Sequence, residues 1–333
     1  MNKEDNIWNK YCSKYDKQIY IRDKVDRIIV IGDLHGDYSL TISILRSLGI
    51  IDVNNNWIGG NTNVVQIGDQ LDGLRPDTDN SEYIATNRKY GDIELFNFFT
   101  KLHYKAIVHG GCVISLLGNH ELMNTEGDMT YVSENGYNKF RNFMSPLKAR
   151  IEAFKRGHKY ARVMACTRYP FVFIGSYMFV HAGIIDKFIN RYNIDSKEKM
   201  NKIGIGIRHW LLNLVHSHKY YDIMTNQIYS PFWLRVLGML PENLPYEDKK
   251  CNMLLHTTMK IFKLNGMIIG HTPQLFTNGS RVNATCGDRV IRVDTGMSRS
   301  FHNYKTDVQK KHPIEILEIT NDSNVRVIRF TPK

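Results

Sequence analysis

A chain of 333 residues with 42% hydrophobic and 23% charged residues has the composition of an ordinary globular protein and can bury a sizeable core. No apolar run approaches the roughly 20 residues that span a bilayer, and residues 1–24 are polar and mixed in charge, which predicts a soluble, cytoplasmic protein with no membrane partner. Forty-four Lys and Arg against 33 Asp and Glu leave +11, a field that draws phosphorylated proteins, nucleotides or nucleic acid without choosing among them.

No internal repeat or linker interrupts the sequence, so residues 25–333 are expected to form a single catalytic domain behind an N-terminal extension, 1–24. The first strand candidate, 28–31 (IIVI), runs into Gly32, Asp33 and His35. Asp37 then stands as N-cap to a helix on which Leu40, Ile44 and Leu48 recur, with Gly49 as its stop. A second run, 64–67 (VVQI), leads to Gly68 and Asp69; Ile93, Phe96, Phe99 and Leu102 predict the next helix. The third run, 113–117 (VISLL), leads to Gly118, Asn119 and His120. After a helical, irregular stretch near 125–168 come 177–180 (YMFV) and His181; after another near 185–260 come 267–269 (MII), Gly270 and His271. The last run, 290–293 (VIRV), is the only one with no ligand assigned behind it. Strands alternating with helices predict α/β architecture, with the two helical stretches as insertions walling a cleft.

Strand ends fix side chains while the loops beyond leave them open, so the ends of a sheet's strands are natural ligand sites. Asp33, His35, Asp69, Asn119, His181 and His271 therefore read as one metal-binding set, and Gly32, Gly68, Gly118 and Gly270 before them read as sharp backbone turns. Carboxylate and imidazole without thiolate favour two divalent ions per chain, Mn first with Fe or Zn as alternatives. Asp69 is the natural shared ligand. Two dications and two aspartates leave +2, and water between such ions ionises near neutral pH, so phosphate esters can be attacked with no activated serine or cysteine. The five cysteines are scattered and form no CxxC pair, which predicts reduced thiols.

The ordered set GDLHGD, GDQLDG, GNHE, HAG and GHTP resembles the calcineurin-like metallophosphoesterase superfamily and its phosphoprotein phosphatases. GNHELMN, SPFWLR, GHTPQ and CGDRVIRVDTGMS look closest to the bacterial-type, Shewanella-like branch. The likeness covers most of 27–301. It implies a β-sandwich of two packed mixed sheets flanked by α-helices, one metal on Asp33, His35 and Asp69, and another on Asp69, Asn119, His181 and His271. It also implies His120 as general acid, with Asp72 holding its ring. Cys251 and Cys286 stand where that branch often has cysteines, which leaves a disulfide between them open.

The family pattern GDxxDR becomes GDQLDG here, with Gly73 in place of the phosphate-gripping arginine. Arg235, in SPFWLR, and Arg75 are the expected phosphate ligands instead; Arg141, Arg150, Arg162 and Arg168 are further arginines the sequence does not rank. The resulting expectation is a phosphomonoesterase acting on phospho-Ser/Thr or phospho-Tyr in proteins. A dinucleoside polyphosphate hydrolase or nuclease is one alternative, and a silent phospho-binding scaffold is a second.

Overall fold

The computed structural model describes residues 3–75, 91–310 and 312–331. Two six-stranded mixed sheets are flanked by helices. One sheet runs, in spatial order, β1 (Ile21–Arg22), β6 (Phe171–Ile174), β7 (Tyr177–Val180), β8 (Gly266–Ile269), β10 (Val290–Arg292) and β9 (Asn283–Thr285). The other runs β12 (Asn324–Phe330), β11 (Ile314–Thr320), β2 (Arg27–Ile31), β3 (Asn63–Gln66), β4 (Cys112–Leu116) and β5 (Arg168–Tyr169). All six predicted runs are strands, to within a residue or two.

Strands β2, β3, β4 and β5 pair in parallel, as do β7, β8 and β10. Parallel strands need long crossovers, and helices Tyr38–Ser47 and Asp92–Ile107 supply two of them. Asp37 caps the first, accepting from Leu40 N at 3.1 Å. Because the parallel strands point the same way, their carboxyl ends, and the loops beyond, gather at one edge of each sheet. One large apolar cluster, containing Val30, Val65, Ile114, Phe179, Ile268 and Val290, packs residues from both sheets.

The first residues join this body: Trp8, Cys12 and Tyr20 are buried, and β1 pairs with β6. The cysteine expectation is corrected here. Cys12 is bonded to Cys166 and Cys251 to Cys286, while Cys112 is the free, buried thiol. Cys12 and Cys166 lie 154 residues apart yet have Cα atoms at 5.3 Å; this proximity is created by the fold and leaves no trace in cysteine spacing. Among the described residues no helix is long and apolar enough to cross a membrane.

Candidate active site

The six predicted ligands come together. Asp33 and His35 follow β2, Asp69 follows β3 and Asn119 opens a helix (Asn119–Thr125) after β4, while His181 and His271 follow β7 and β8 of the other sheet. The loops lace to one another: Asp69 O accepts from His35 N at 2.9 Å, His181 O from Gly270 N at 2.7 Å, and Asp33 Oδ2 takes His271 N across the two sheets at 2.9 Å. Donor atoms of His35, Asp69 and His120 lie within 4.8 Å of one another, as do those of Asp69, His181 and His271. Asp33 falls in neither group.

Of the four glycines predicted as sharp turns, Gly68 is one and the others serve a different purpose. Only Gly68 is left-handed (φ 105°). At Gly118 and Gly270 a Cβ would sit 2.1 Å from Asp69 Oδ1 and 2.2 Å from Asp33 Oδ1, so glycine is required by close approach to the carboxylates. The left-handed backbone falls on the candidate site residues themselves: His35 (φ 45°), Asp69 (53°), Asp72 (67°) and His271 (66°). Such conformations cost energy in L-residues and persist where surrounding bonds impose them.

The imposing bonds at Asp69 come from Glu121, which sequence reasoning passed over although it completes GNHE. Its buried carboxylate accepts from the backbone N–H groups of Asp69 (2.9 Å), Gln70 (2.8 Å), Leu71 (3.1 Å) and Gly118 (2.7 Å). Burial and nearby Asp69 raise the Glu121 pKa, and these amides oppose that rise. Glu121→Gln turns one acceptor into a donor facing amide hydrogens. It is expected to cost about 1–3 kcal/mol, read as a lower urea midpoint at unchanged m-value.

The donor set fits cations. His181 Nδ1 lies 2.9 Å from Ile67 O and His271 Nε2 lies 3.0 Å from Trp233 O, contacts that make those nitrogens the protonated ones and turn His181 Nε2 and His271 Nδ1 toward the site as lone pairs. Asn119 Oδ1 meets them at 3.1 and 2.8 Å, and Asp69 Oδ1 is 3.3 Å from His181 Nε2. Acceptors therefore face acceptors. Asp33 Oδ1 is buried with no hydrogen-bond partner, which is costly unless a cation binds there.

Electrostatics agree. Burial, then Asp294 and Asp69, push Asp33 well above the usual carboxylate range. Burial would raise Asp69 too, but His181 and His120 hold it well below. Burial, aided by Arg75 and His120, lowers His35; burial with Arg235 and His181 lowers His271, so both favour the neutral, ligating form. Burial lowers His181, yet Asp69 overcomes it and the net shift is upward. Bound dications reverse the case for protonating Asp33 and His181.

Beside this set, His120 Nδ1 is 2.9 Å from Asp72 Oδ2, and its Nε2 is 3.9 Å from Asp69 Oδ2. Asn124 Nδ2 donates to both Asp72 oxygens at 2.9 and 3.0 Å. Arg150 lies 3.6 Å from Asp72 and forms a bidentate pair with Asp92 (2.8 and 3.1 Å). Arg150 and Arg168 are fully buried, and Arg141 pairs with Glu134.

A cleft of about 590 Å³ opens over the site, and both Arg75 and Arg235 line it. Arg75 is 7% exposed, with its guanidinium 4.5 Å from the Phe301 ring and 5.7 Å from Tyr131. Its Nη1 donates to Asp72 O and Leu74 O. Arg235 donates to His271 O at 2.9 Å. Phe301 lies edge-on to His35 at 5.4 Å and Tyr131 to His120 at 5.1 Å. Arg299, bonded to Asp37, pins the Arg299–Tyr304 turn that carries Phe301 and Tyr304.

Residues 26–275 match the calcineurin-like phosphoesterase family. The chain belongs to that family. Relatives of this phosphoesterase include an uncharacterized protein of Acanthamoeba polyphaga mimivirus, 38% identical over 250 residues (69% of this chain, 97% of that protein). Shewanella-like protein phosphatase 2 of Arabidopsis thaliana is 28% identical over 348 residues (93% and 79%). The cold-active protein tyrosine phosphatase of a psychrophilic Shewanella shares the phosphoesterase's fold, with TM-score 0.65 at 21% identity, covering 96% and 83% of the two chains. The last predicted run is also followed by an acid: Asp294, buried to 1% exposure, lies directly behind 290–293, where the same sequence rule points.

Proposed function

We propose that this phosphoesterase hydrolyses phosphate monoesters on proteins and prefers phosphotyrosine. The observation that carries the reading is the wall of Tyr131 and Phe301 standing over His120 and His35 with Arg75 between the rings. A phenyl ring entering there meets aromatic edges and faces, each such pair adding about 0.5–1.5 kcal/mol. A serine ester gains none of this. Relatives and structural neighbours that are Shewanella-like protein phosphatases and a protein tyrosine phosphatase support a phosphoprotein substrate.

Asp33, His35 and Asp69 would hold one divalent ion, and Asp69, Asn119, His181 and His271 the other, Mn being the expected metal. Bound there, dications supply a water nucleophile near neutral pH and offset phosphoryl charge. Arg75 and Arg235 orient the phosphate from the cleft walls, Arg75 standing in for the side chain missing at Gly73. Asp72 fixes His120 through Nδ1, leaving Nε2 to give a proton to the departing oxygen.

The test is a panel of phosphotyrosine, phosphoserine and phosphothreonine peptides, diadenosine tetraphosphate and single-stranded DNA, each assayed with Mn²⁺ and with chelator. The phosphotyrosine peptide is expected to exceed the others in kcat/KM by roughly tenfold or more, consistent with one or two ring contacts. Faster turnover of the nucleotide substrates would overturn the protein-phosphatase reading. No chelator-sensitive turnover at all would leave only a phospho-binding scaffold.

A further inference from the structure

Asp294 has no part in the reaction above. It ends β10, and its backbone touches the corner that carries Asp33: a Cβ at Gly32 would lie 2.2 Å from Val293 O and 3.3 Å from Asp294 Cα. Gln274 N donates to Asp294 O at 2.8 Å, tying the residue to the loop after His271. One carboxylate oxygen accepts from Gly296 N at 3.0 Å; the other, Oδ2, is buried without a donor, as is Asp33 Oδ1.

The nearby carboxylates that hold loops and rings in place are saturated. Glu121 takes four amides, and Asp72 takes His120 and Asn124. Asp33 and Asp294 differ in each leaving one oxygen bare in a region closed to water, on strand ends that touch. Buried carboxylate oxygens require a donor or a cation, and neighbouring residues provide no donor to these two atoms.

We propose that Asp294 is a further carboxylate of the cation centre, its charge setting the affinity for the ion on the Asp33 side. The proposal rests on the phosphoesterase reading only in taking the centre to bind divalent ions. With two dications offset by Asp33, Asp69 and Asp294, the centre retains +1 before any nucleophile is counted, which stabilises the ions while keeping the site attractive to phosphate.

The experiment is calorimetric titration of the full-length, metal-stripped protein with Mn²⁺, together with melting curves with and without Mn²⁺, for the wild type and Asp294→Asn. Asparagine keeps the acceptor for Gly296 N and removes the charge. The expected result has two opposite signs: the stripped variant melts higher than the stripped wild type, because a buried unpaired charge is gone, and affinity for one of the two ions falls about 10–100-fold. Asp294→Ser, which adds no volume, carries the same expectation should the asparagine variant not accumulate. An unchanged Mn²⁺ isotherm with a lowered melting point in either variant overturns the proposal and makes Asp294 a turn-forming residue. A wild type that binds no Mn²⁺ would instead overturn the parent reading, so the two failures are distinct.

Discussion

His120→Asn is expected to lower turnover of a phosphotyrosine peptide by about 10²–10⁴-fold, the usual contribution of a positioned acid, while metal content stays at the wild-type value. The ring is held at Nδ1 by Asp72 and stands 5.1 Å from Tyr131 at the cleft wall. Its backbone N–H, which donates to Asp69 Oδ1 at 3.1 Å, is kept by asparagine, so the Asp69 loop is left in place. Elemental analysis beside single-turnover kinetics decides the role. Because His120 also lies within ligand distance of His35 and Asp69, loss of one ion per chain in the variant would make it a ligand and remove the acid from the mechanism.

The second large effect is on stability. Arg150→Met is expected to destabilise the protein by about 3–5 kcal/mol, the cost of stranding a buried charge. Arg150 is fully buried. Its guanidinium binds Asp92 twice, Asn124 Oδ1 at 3.0 Å and Gly136 O at 2.5 Å, and lies 3.6 Å from Asp72. Asp92 in turn accepts Asp72 N at 3.1 Å, so the network supports the residue that orients His120. Urea unfolding measures the loss, and the double variant Arg150→Met/Asp92→Leu should recover part of it, since the stranded partner is also gone. A double variant as unstable as the sum of the singles would mean the two residues act independently.

Much of the site was legible because its chemistry is written locally. An acid, an amide or a histidine directly behind an apolar run states both the strand and what its end carries, and five such runs placed the six candidate ligands. What escaped was set by distance in the chain. The role of Glu121 depends on a loop some 50 residues earlier returning to it, and nothing in GNHE announces that approach. Arg150 was one of four unranked arginines, because burial cannot be read from a lone charged residue. Asp294 is a different kind of miss: its signal matched the others and was passed over. The hairpin of β11 and β12 was likewise passed over, although IEILEIT and NVRVIRF alternate around Asn321 and Asp322. Its place beside β2, almost 300 residues away, was not readable. Gly73 pointed to a missing clamp; the packing of Arg75 between Phe301 and Tyr131 needed the fold to be seen.

The candidate ligand residues are divided between the layers, with Asp33, His35, Asp69 and Asn119 behind one sheet and His181 and His271 behind the other. Whatever they grip also fastens the two halves of the sandwich at one margin. Removing a cation bound there is therefore expected to loosen the sandwich at the same spot where it stops the proposed chemistry.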